Sequence, residues 1–171
     1  VTLIGATTPI LLAATGELVV EKSGVLNLGV EGMMLVGAVT AVAVSLIGAF
    51  NPEHGWMGNP YFAAIAGAIA GMLSSLIFAV LTLSLSANQT ATGLALTIFG
   101  IGFSALAGDP LSGRPVAKMP PLIPWGSEDP ILRLFFAHSA LVWFSLLMVA
   151  AVWWFLKKTR SGLILRAVGE N

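Results

Sequence analysis

Long stretches of this chain carry no formal charge. Residues 1–16, 32–52, 54–108 and 134–156 lack Lys, Arg, Asp and Glu altogether. The sixteen charges that exist are gathered between them. A bilayer core of about 30 Å needs roughly 20 apolar residues as helix, so 32–52 and 134–156 each hold one span. The run 54–108 is too long for one span and holds two, divided at the polar sequence Ser86-Ala87-Asn88-Gln89-Thr90-Ala91-Thr92. Residues 1–16 read as a further span. Composition agrees: 57% of residues are apolar and 9% charged, with a mean hydropathy of +0.92. A soluble domain of this size has too little polar surface to cover so much apolar area.

These runs predict an all-α integral membrane protein, a polytopic helical bundle with about five spans near 1–16, 32–50, 61–85, 91–108 and 136–156. The apolar runs are continuous, whereas barrel strands would alternate over about 10 residues. The chain opens on Val1 inside an apolar run and stops at Asn171 just after a basic amphipathic stretch begins. It therefore reads as part of a longer protein with further spans downstream. Residues 1–171 are expected to form a single membrane domain.

Orientation is read from Lys and Arg near the span ends. Lys22, Lys157, Lys158, Arg160 and Arg166 fall on one side, and Arg114, Lys118 and Arg133 on the other. Four of the first group directly follow the last span, which places the tail in the cytoplasm. Small residues at i, i+4 spacing, Ala63, Gly67, Gly71 and Ser75 in the third span and Gly100, Ser104 and Gly108 in the fourth, predict close helix packing. Trp143, Trp153 and Trp154 are expected as interface anchors of the last span.

The chemistry-bearing motifs are sparse. There is no cysteine, hence no disulfide or thiolate site. No Lys follows a Gly, so a P-loop is absent. HExxH is absent, and no Ser-Gly pair has the preceding Gly of a GxSG nucleophile motif. The net charge of zero gives no footprint for nucleic acid. Catalysis within these residues is not expected.

Three polar elements remain. Residues 24–32 are too apolar for a solvated loop, and they run along the interface or fold into the bundle as a broken helix; irregular backbone at that depth must be buried in protein or line a cavity. Glu31 there sits at the mouth of a span, as a cap or as part of a polar path. In the break at 86–92, Asn88 and Gln89 offer neutral hydrogen-bonding groups, which suit an uncharged polar solute. The third element is the tail, where Leu163, Ala167 and Glu170 share one helical face beside Arg166 and suggest docking to a soluble partner.

Two strings, Gly24-Val-Leu-Asn27-Leu-Gly29-Val-Glu31-Gly32-Met-Met and Thr159-Arg160-Ser161-Gly162-Leu-Ile-Leu-Arg166-Ala-Val-Gly169-Glu170-Asn171, resemble the inner-membrane permease subunits of ABC importers. The similarity runs from Glu17 to Asn171 in motif order and is nearest the branch carrying nucleosides or simple sugars, within a superfamily that includes ribose-type and branched-chain amino acid permeases. The resemblance implies a multi-pass protein of a bacterial or archaeal cytoplasmic membrane. It also implies a second permease subunit, identical or not, an extracytoplasmic substrate-binding protein, and ATPase subunits that hold the ATP and Mg while this chain binds no cofactor. Residues 157–171 would begin the cytoplasmic ATPase-coupling loop, with Thr159, Arg160, Gly162, Leu163, Arg166, Gly169 and Glu170 as its coupling residues. In the family this motif continues beyond its Asn, so the loop is incomplete here. Asn27, Glu31, Asn88 and Gln89 are the corresponding candidates for the solute's path. Sugar or branched-chain amino acid transport is the alternative, and an ATPase-independent channel or scaffold is the alternative of another class.

Overall fold

The computed structural model describes residues 2–50, 52–121 and 138–170. Among the described residues six α-helices follow one another: α1 (Thr2–Lys22), α2 (Val30–Phe50), α3 (Pro60–Ala79), α4 (Gln89–Gly108), α5 (Ala140–Lys158) and the short α6 (Arg160–Gly169). A 3-10 helix, Pro52–Gly58, joins α2 to α3, and a π-helical segment, Val80–Ser84, prolongs α3. Five helices among the described residues are long and apolar enough to cross a membrane. The all-α, polytopic class expected from the charge map is the class observed.

Boundaries shift where a charge was read as a span end. α1 passes through Glu17 and Glu21 and stops at Lys22, giving 21 residues, about 31 Å of helix at 1.5 Å per residue. A carboxylate near a helix end does not break the backbone ladder. The stop comes from Ser23-Gly24, where Gly24 takes a φ of +81° that favours glycine. The last span begins at Ala140; the expected start at 136, with Glu128, Asp129 and Arg133, lies outside the described residues.

Start signals follow the capping rules. Asn59 precedes Pro60 and accepts the Tyr61 N–H at 3.0 Å. Asn88 accepts the Ala91 N–H at 3.0 Å at the head of α4, and Thr159 accepts the Gly162 N–H at 3.1 Å at the head of α6. Hydroxyls inside the spans bond back to their own helix: Thr8 to Ile4, Thr15 to Leu11, Ser74 to Ala70 and Ser145 to Val142. Among the described residues no buried side-chain nitrogen or oxygen lacks a partner, as an apolar surround demands.

The chain groups into two compact units, residues 1–26 with 119–171, and residues 27–118. In the second unit α2 is central and packs on both α3 and α4. Gly37 and Gly67 face each other, and a Cβ on Gly67 would stand 2.6 Å from the Gly37 carbonyl oxygen. Gly71 lies toward Met33, so α2 and α3 run antiparallel. Gly32 lies on Leu96 and Thr97, Gly100 on Gly32, and Gly108 beside Val39, so α2 and α4 run parallel. Lipid gives no hydrophobic drive for such contacts, and close backbone approach supplies dispersion instead. In the first unit α1 packs on α5 and α6, and α5 on α6.

Candidate functional site

The four residues expected along a solute path all belong to the second unit. α2 and α4 run parallel, so their first turns share one end. Asn27 lies just before α2 and is buried, 8% exposed. Its carboxamide oxygen accepts the Gly29 N–H at 2.9 Å, and its nitrogen points at the Met33 sulfur at 3.9 Å. Both polar ends are thus engaged locally, in an Asx turn that shapes the entry into α2. Glu31 lies in the first turn of α2 and is exposed, where the helix dipole favours a carboxylate. Asn88 is exposed and caps α4; Gln89 is the first residue of α4 and half-buried.

The residues 24–32 prove to be a folded connection. Past the turn at Gly24, residues 27–29 lie against α4, where a Cβ on Gly93 would stand 2.8 Å from the Leu28 nitrogen. The Leu28 carbonyl accepts the Thr97 hydroxyl at 2.8 Å. Irregular backbone is therefore seated on a helix and satisfied by it, the condition for its survival away from water. Thr97 and Gly93 were missed by sequence reasoning. Nothing in an apolar span marks which hydroxyl will meet a carbonyl 69 residues away.

Beside this end lies a groove of about 430 Å³ between α3 and α4, lined by Phe78, Leu81, Ala91, Thr92, Leu96 and Phe99 among others. Its walls are apolar apart from Thr92. Above it the helix leaves α geometry in the π segment, and Ser86 takes a φ of 52°, which side chains seldom adopt. The polar break expected at 86–92 is thus a tight turn followed at once by the capped start of α4. Among the described residues no group of three His, Asp or Glu is placed to hold a metal ion.

The coupling candidates lie in the first unit. Thr159 closes α5 and opens α6: its hydroxyl donates to the Phe155 carbonyl at 2.7 Å while accepting from Gly162. Gly162 is buried, and a Cβ there would collide with the Phe155 carbonyl. Leu163, Ile164 and Val168 are 51–67% exposed. Arg160 and Glu170 are exposed, and Arg166 makes a 3.5 Å ion pair with Glu170. Lys157 at the end of α5 sits 5.5 Å from the centre of the Trp153 ring, the pairing of cation and aromatic usual at a membrane interface. α6 is thus a short helix whose apolar side chains are left uncovered within its unit.

The family model described as the permease component of a branched-chain amino acid transport system matches residues 1–171. A Haloferax volcanii protein provisionally named glucose ABC transporter permease protein is 36% identical over 98% of this chain and 50% of its own length. The guanosine ABC transporter permease protein of Bacillus subtilis is 34% identical over 95% of this chain and 53% of its own. The nucleoside ABC transporter permease protein of Lactococcus lactis is 31% identical over 96% and 53%. The chain thus spans about half the length of these relatives. No solved structure matches it significantly.

Proposed function

The chain belongs to the family of permease components of branched-chain amino acid transport systems, and from that premise we propose that it is part of the membrane-spanning subunit of an ABC importer for nucleosides. Two relatives named for guanosine and nucleoside transport, each matched over at least 95% of this chain, carry the reading. The neutral groups at the shared end of α2 and α4, Asn88 and Gln89, support a neutral polar solute over an ion. Glu31, at the same end, is the one carboxylate we place on the path, and Asn27 holds the backbone that frames it.

In this reading the chain hydrolyses nothing. Cytoplasmic ATPase subunits bind ATP and Mg, a second permease subunit completes the pathway, and an extracytoplasmic binding protein delivers the solute. The protein sits in the cytoplasmic membrane of a bacterium or archaeon. α6 carries the ATPase contact: Arg160, Leu163, Arg166 and Glu170 meet the partner, while Thr159, Gly162 and Gly169 set the helix.

A sugar is the second reading, favoured by the glucose-named relative at 36% identity. Uptake of labelled guanosine by membranes carrying the full transporter, with unlabelled nucleosides, glucose, ribose and leucine as competitors, separates the two. Competition by nucleosides alone supports the proposal; competition by sugars alone replaces it with the second reading. Saturable uptake that persists after the ATPase is deleted overturns both.

A further inference from the structure

α6 is clamped at both ends by glycines, onto two different spans. At its start Gly162 lies on Phe155 and Leu156 of α5. At its end Gly169 lies on the last turn of α1: a Cβ there would collide with the Lys22 carbonyl and stand 2.7 Å from the Gly24 nitrogen and 2.8 Å from the Ser23 carbonyl carbon. The contact is reciprocal, since a Cβ on Gly24 would stand 3.2 Å from the Gly169 Cα. Gly24 also holds a φ of +81°, so the turn that receives α6 is itself a glycine conformation. Between the two clamps the apolar side chains Leu163, Ile164 and Val168 remain exposed.

A ten-residue helix is marginal alone, and the Thr159 cap with the Gly162 contact already fixes α6 to α5. A helix held only there would pivot about its start when pushed. The second clamp removes that freedom. It is backbone against backbone, with no side-chain rotamer to yield, and close-packed contacts of this kind transmit displacement.

We infer that the Gly24–Gly169 contact is a mechanical link that makes α6 and the C-terminal end of α1 move as one body. A load on the exposed face of α6 then reaches α1 directly as well as through α5. The chain leaves α1 at Gly24 for the segment that enters α2, so the link acts where the backbone passes between two spans. Gly24 and Gly169 are positioning residues. The inference rests on the transport reading above, because the load it describes is that of a partner ATPase.

The test uses the full-length protein expressed with its ATPase and binding protein, with Gly169→Val and the milder Gly24→Ala. ATPase co-purification, ATP hydrolysis and solute uptake are each normalised to permease in the membrane. Wild-type uptake and co-purification, measured alongside, judge the transport reading on their own. The link predicts that Gly169→Val keeps the ATPase bound and hydrolysing but loses uptake, with Gly24→Ala intermediate. Uptake unchanged in Gly169→Val overturns it. So does a parallel fall of co-purification and uptake in both variants, which would make the contact a matter of seating α6 alone.

Discussion

Thr97 donates its hydroxyl to the Leu28 carbonyl at 2.8 Å, tying the non-helical entry of α2 to the third turn of α4. The bond joins residues 69 apart in the chain and gives the Leu28 carbonyl a side-chain partner. Thr97→Val keeps the shape and removes the donor. A loss of about 1 kcal/mol in stability is expected, read as a lower thermal midpoint of the detergent-purified protein, and Thr97→Ser restores it. Equal midpoints for all three would mean that the bond contributes nothing.

Gly100 and Gly102 stand two positions apart on α4, yet their surroundings differ. A Cβ on Gly100 would meet the backbone of Gly32, whereas one on Gly102 meets nothing within 4 Å. Gly100→Ala should cost about 1–3 kcal/mol by forcing α2 and α4 apart. Gly102→Ala should be neutral or slightly stabilising through helix propensity. Thermal midpoints of the two variants, compared directly, check this.

Asn88 separates a structural role from a transport role. As the cap of α4 it accepts the Ala91 N–H, and Asn88→Ala should cost about 1 kcal/mol. Asn88→Ser keeps the capping oxygen and shortens the polar group. If Asn88 also faces the solute, uptake falls in both variants while stability falls only in the alanine variant. Uptake that tracks stability in both would remove Asn88 from the path.

The tail gives a charge test. Arg166 and Glu170 are paired at 3.5 Å on an exposed face, and such pairs contribute less than about 0.5 kcal/mol. Glu170→Gln should therefore leave stability unchanged. Arg166→Glu and Leu163→Glu alter the exposed face of α6 itself and should lower ATPase co-purification with little effect on membrane insertion. Co-purification at wild-type level in both would sink the docking assignment of α6.

Much of the span map was legible because a bilayer imposes it locally: a charge-free run of about 20 residues has few other fates. The charge-free run ends at residue 16, but α1 continues through Glu17 and Glu21 and turns only at Ser23-Gly24, where Gly24 takes the left-handed conformation. The π segment at Val80–Ser84 was not legible. Val-Leu-Thr-Leu-Ser fits an α-helix equally well, and only bonds such as Leu85 N–H to the Val80 carbonyl make it wider.

The sequence alone determined that these residues cross a membrane as helices, where the long apolar runs lie, and which strings resemble a transport family. Hydropathy and charge act residue by residue, so they can be read without neighbours. Only the tertiary structure decided which small residues are contacts: Gly32 with Gly100, Gly37 with Gly67, Gly24 with Gly169. Close approach needs two backbones at once. A glycine in a span is silent until its partner, far away in the chain, is in place against it.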